Sequence, residues 1–135
     1  MDLKNLDVVS AAGTAVRMNL RHPVTGKPLT YGEEDESTMY FMVIGRDSEA
    51  YRDNLRLILD KHARRQKSRT SPLSAAEAEQ EGRELLACTV TGGKVFLGGQ
   101  ELDVTQPVAL ELMIQPWVFE QVSSFVEDRS NFLPG

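Results

Sequence analysis

A chain of 135 residues is one domain of ordinary size, and its 41% hydrophobic fraction is enough for one modest core. A net charge of -5, with 26% of residues charged, favours solubility and speaks against a nucleic-acid partner. No apolar run reaches the roughly 18–20 residues needed to cross a bilayer.

Met1 to Asp7 lacks a basic region followed by an apolar one, so no signal peptide is expected. The single cysteine, Cys88, has no internal disulfide partner, and a reducing cytoplasm is the expected compartment. Residues 1–14 are small and polar and read as a flexible lead-in to a single domain spanning 15–135. From Ala15 to His22, Val16, Met18 and Leu20 alternate with Arg17, Asn19 and Arg21. That period of two marks a strand with one buried face. Residues 23–29 are rich in turn formers, and Glu33 to Glu36 form an acidic loop. Thr38 to Gly45 is β-branched, aromatic and mostly apolar, a second strand expected to pair antiparallel with the first. Residues 15–46 are thus a small N-terminal antiparallel β element.

Residues 47–87 read as two helices. Asp47 or Ser48 caps the first by accepting from an orphan backbone N–H. Tyr51, Leu55, Ile58 and His62 recur at helical spacing, and Leu59 widens the stripe. The helix closes on a basic run, Lys61, Arg64, Arg65, Lys67 and Arg69, and breaks at Thr70-Ser71-Pro72. Ser74 and Glu77 have capping-box spacing for a second helix ending near Ala87. Its Glu77, Glu79, Glu81 and Glu84 stand opposite the basic run if the two helices fold back on one another. Residues 88–104 read as a loop or small ribbon, with Gly92-Gly93 and Gly98-Gly99 as tight turns. Residues 105–135 form a C-terminal helical unit: Thr105 caps a short helix over 107–114, and Pro116 starts the last one. The fold class is α+β, a small β element followed by a mainly helical part.

Neither His22 nor His62 has a second ligand at metal-binding spacing, so no metal site is nominated. Cys88 lies in the apolar run Leu85-Leu86-Ala87-Cys88-Thr89-Val90 and reads as a small core residue rather than a nucleophile. Gly92-Gly93-Lys94 runs on into Val95-Phe96-Leu97, which is not the context of a phosphate loop. The basic run has no interleaved aromatics and balances the dipole at a helix C-terminus, a solvated surface rather than a binding patch. The sequence therefore nominates no catalytic, cofactor-binding or metal-binding residue.

The C-terminal segment holds the one tryptophan and three of the five phenylalanines. Val118, Val122 and Phe125 share one helical face, while Phe119, Val122 and Val126 share an overlapping one. Core packing is expected of Val122 and Phe125. Two apolar faces exceed what one short helix normally buries. Trp117, Phe119, Phe132 and Leu133 are accordingly the candidates for contact with a partner.

From Leu85 the text runs Leu85-Leu86-Ala87-Cys88-Thr89-Val90-Thr91-Gly92, then Val95-Phe96-Leu97-Gly98-Gly99, then Pro116-Trp117-Val118 and Gln121-Val122 to Phe125. It closes on Asp128-Arg129-Ser130-Asn131-Phe132-Leu133. This succession resembles the C-terminal half of the tail assembly chaperones of long-tailed bacteriophages, with Asp128-Arg129-x-Asn131-Phe132 its most specific piece. His22-Pro23-Val24-Thr25-Gly26 and Gly45-Arg46-Asp47-Ser48-Glu49-Ala50-Tyr51-Arg52 match the strand-turn-strand and helix of the front half. The resemblance covers Val16 to Leu133, with one departure: Gly93 stands where an aromatic is expected after a Thr91-Gly92 turn. It implies a non-enzymatic cytoplasmic helper, without cofactor, that binds the tape measure protein during tail assembly. It extends to tail tube subunits as a second cargo and to self-association as a homo-oligomer, and it implies neither a nucleic-acid nor a membrane partner. The alternatives are a structural virion protein of the tail or tail tip, and a small regulatory nucleic-acid binder, for which only the basic run speaks.

Overall fold

The computed structural model describes residues 3–30, 38–68 and 74–133, and of 65–68 the backbone alone. The acidic loop at 33–36, the expected break at 70–72, Arg69, and the side chains of Arg65 and Lys67 lie outside the described residues. Strands β1 (Val16–Asn19), β2 (Tyr40–Val43), β3 (Val90–Leu97) and β4 (Gln100–Asp103) form one antiparallel sheet in that order. Helices α1 (Val8–Ala12), α2 (Glu49–Ser68), α3 (Ala75–Ala87), α4 (Gln106–Leu112) and α5 (Pro116–Glu127) complete an α+β fold.

The pairing of the first two strands follows the alternation in the sequence. Met18 faces Phe41 and Val16 faces Val43, and Met18, Phe41 and Val43 are buried. On the other face the Arg17 guanidinium lies 4.0 Å above the Tyr40 ring. Lys94 and Glu101 pair at 3.2 Å across β3 and β4.

Two stretches depart from the sequence reading. Residues 88–104 are not an isolated ribbon. They supply β3 and β4, and β3 pairs with β2 through Tyr40↔Lys94 and Met42↔Gly92. Gly92-Gly93 lies within the strand and is not a turn. The register shifts beside Met42/Val43, and a Cβ at Gly93 would stand 2.2 Å from the Tyr40 carbonyl oxygen. With φ at +139° as well, position 93 admits only glycine. Gly98-Gly99 is the expected turn: both have positive φ and join Leu97 to Gln100 in a two-residue hairpin.

The second departure is the lead-in. Residues 3–6 make a 3₁₀ turn, and α1 follows with Asp7 as its cap, accepting from Ser10 N at 3.1 Å. Ala12 is buried, and its carbonyl accepts from Gly45 N at 2.8 Å. A small, polar sequence read as loose because its apolar content is low. One buried alanine and one backbone bond nonetheless seat it on the end of β2.

The four helices expected after residue 46 are α2 to α5. Ser48 Oγ accepts from Tyr51 N at 3.3 Å, so Ser48 is the capping side chain of α2, and Asp47 bonds elsewhere. Ser74 Oγ accepts from Glu77 N at 3.1 Å and caps α3 as its spacing implied. Thr105 caps α4 through Val108 N. In α5, Val118, Val122 and Val126 recur every four residues and are all buried. Gln121 fixes the other side of α5. Its Oε1 accepts from Arg21 N at 2.9 Å and its Nε2 donates to Arg21 O at 2.7 Å, as a neighbouring strand would.

Candidate partner-binding surface

His22, His62 and Cys88 each make a bond within the fold. His22 Nδ1 accepts from the backbone N–H of Val24 and Thr25 and closes the turn after β1. His62 Nε2 meets Glu81 Oε2 between α2 and α3, so these two helices do fold back on one another. Glu81 is buried, and of the four glutamates considered it is the one that meets His62. Cys88 is half-buried rather than a fully buried core residue, because it caps the C-terminus of α3. Burial pushes its thiol up to about 11, and Sγ donates to Leu85 O at 2.7 Å. Among the described residues no three His, Cys, Asp or Glu side chains converge as a metal would require, and no helix is long and apolar enough to cross a membrane.

The four aromatic and aliphatic candidates fall in different places. Phe132 packs on the core: its ring meets Phe125 edge to face, with centroids 5.7 Å apart. A Cβ at Gly45 would stand 3.1 Å from Phe132, so the glycine makes room for that ring. Leu133 is half-buried beside it, and both line the seam where α1, Gly45 and Arg129 meet. Trp117 is half-buried and packs against the core from the first turn of α5. Phe119 is half-buried too, but it lines an open groove that the other three do not reach.

The groove runs between α3 and the start of α5. Ala78, Glu79, Gly82 and Arg83 form one wall, and Phe119 and Glu120 form the other. Met113 and Ile114, from the turn between α4 and α5, and Pro116, which opens α5, make its floor. Met113 is buried, whereas Ile114 is 62% exposed. Three backbone bonds fix the turn, since Ile114 N, Gln115 N and Val118 N donate to Glu111, Leu112 and Gln115 carbonyls. A large aliphatic side chain is therefore held out on a rigid turn beside a half-buried phenylalanine. Sequence reasoning found Phe119 from its helical face. It missed Ile114 and the α3 wall, because only the packing of α3 on α4 and α5 brings residues 78–83 beside 113–120.

Comparison with protein-family models, with curated proteins and with solved structures finds no match to this chain.

Proposed function

We propose that the chain is a tail assembly chaperone of a long-tailed bacteriophage, which binds the tape measure protein while the tail is built. The resemblance from Val16 to Leu133 supplies the partner. The observation that carries the reading is the open apolar groove with exposed Ile114 on a fixed turn, since accessible apolar surface of this kind marks sites of association. A helper for a long, aggregation-prone chain needs such a surface. On this reading the protein works in the host cytoplasm, self-associates, and extends its service to tail tube subunits. It is no enzyme, uses no cofactor, and touches neither nucleic acid nor membrane.

The test is co-expression with the tape measure protein encoded in the same genome. The reading expects the long chain to stay soluble and to co-purify with this one, and purified virions to lack it. Retention of the chain in virions at fixed stoichiometry, without capture of free tape measure protein, would make it a structural protein of the tail.

A further inference from the structure

On the reading that the chain captures a tape measure protein, we propose that the groove between α3 and the α4–α5 turn takes an amphipathic α-helix of that partner, with Lys or Arg flanking the helix's apolar stripe. The lining comes only from helices and one turn. An extended peptide lying there would bring its backbone N–H and C=O groups against an apolar floor with no strand edge to pair with, whereas a helix satisfies its own.

Gly82 provides an independent sign. It sits inside α3, where neither a positive φ nor crowding calls for glycine: a Cβ there would meet nothing within 4 Å. Glycine weakens a helix interior relative to alanine. Its gain here is a thin wall, since Ala78 and Gly82 are one turn apart and let a second helix axis approach closely.

Charge specifies the flanks. Glu79 on the α3 wall and Glu120 on the α5 wall are both exposed at the groove, and the whole chain carries -5. A helix with basic residues on either side of its apolar stripe meets one carboxylate on each wall. The Arg83 guanidinium on the α3 wall is engaged within its own helix. Its Nη2 donates to Gln80 Oε1 at 3.0 Å, while its Nε is buried and without a hydrogen-bond partner among the described residues.

The test uses the full chain and two labelled model helices of about five turns, one Leu/Lys and one Leu/Glu, with binding followed by fluorescence anisotropy. The Leu/Lys helix should bind at least about tenfold more tightly than the Leu/Glu helix. Gly82→Leu, which fills the groove, should lose at least about tenfold in affinity while melting at or above the wild-type temperature. Glu79→Lys with Glu120→Lys should abolish the preference for the Leu/Lys helix. Wild-type binding by Gly82→Leu, or equal affinity for the two helices, overturns the inference. So does a dimer in sedimentation that Gly82→Leu dissolves, because the occupant is then a second copy of the chain. Capture of the tape measure protein undiminished by Gly82→Leu overturns the groove and leaves the chaperone reading standing. Leu/Lys binding lost in Gly82→Leu, without any capture of tape measure protein by the wild type, overturns the chaperone reading and supports the helix groove.

Discussion

Asp47 and Arg129, 82 positions apart, are joined by two hydrogen bonds, Nε to Oδ2 at 2.6 Å and Nη2 to Oδ1 at 3.0 Å. This fork ties the end of the chain to the start of α2. The residues around it serve the same purpose. Asp128 accepts from Ser130 N at 3.0 Å, Asn131 Nδ2 donates to Phe125 O at 2.9 Å, and Phe132 fills the space left by Gly45. The closing Asp128-Arg129-x-Asn131-Phe132 is thus a latch, and each named side chain has a structural bond or contact of its own.

Breaking the fork should be felt in the pH dependence of stability. The Arg129 guanidinium, by hydrogen bond and then by charge, holds the Asp47 carboxyl below its ordinary value of 3.8. A carboxyl lowered in the folded state contributes stability that is present above its unfolded value and is lost as pH falls through the folded value. Arg129→Gln should therefore lower the melting temperature by a few degrees at neutral pH. The difference from wild type should shrink as pH is taken below the ordinary carboxylate range, and also in high salt, because Arg129 is largely exposed. Melts at stepped pH check this, and a difference that grows on acidification would contradict it.

Phe132→Ala should cost about 1–2 kcal/mol, less than the roughly 3–5 of a fully buried phenylalanine, because the ring is half-buried. Removing residues 131–135 should cost more, since it also takes away the bond from Asn131 to Phe125. Urea titration of both variants is the measurement. Wild-type stability with lost capture would instead mark Phe132 and Leu133 as partner contacts.

Gly93→Ala should be among the most damaging single changes. It sets a Cβ 2.2 Å from the Tyr40 carbonyl oxygen at a positive φ, so β2 and β3 must part. Loss of more than about 3 kcal/mol is expected. Gly92→Ala, where a Cβ meets nothing within 4 Å, should be far milder, and equal behaviour of the two variants in denaturant would contradict this account.

What the sequence disclosed depended on how local the cause was. The strand with Val16, Met18 and Leu20, the Ser74 and Thr105 caps, the Gly98-Gly99 turn and the shared face of Val118 and Val122 all rest on spacing within a few residues, although Val126 rather than Phe125 is the third buried residue of that face. They were legible. Gly92-Gly93 was misread because a glycine pair signals a turn locally, while its true cause is the approach of Tyr40 from 53 positions away. The seat of α1 on Gly45 and the groove beside Ile114 were hidden for the same reason. Phe119 was legible as surplus apolar surface, but its separation from Phe132 was not, since only the latch folds Phe132 back onto the core.

Cys88 should be slow to react. Burial pushes its thiol up to about 11, so very little of it is thiolate at neutral pH. Maleimide labelling of the native protein should lag well behind that of the unfolded protein and rise only in strong alkali. Rapid labelling near pH 7 would show that the end of α3 opens readily.

The central claim is that the groove captures the partner, and Ile114→Asp tests it most directly. The side chain is 62% exposed, so folding should change by no more than about 0.5 kcal/mol. A carboxylate on the groove floor should nonetheless prevent an apolar stripe from docking. Side-by-side co-expression of wild type and Ile114→Asp with the tape measure protein should show capture by the first and little or none by the second, at matched melting temperatures. Equal capture by the two proteins would contradict the account.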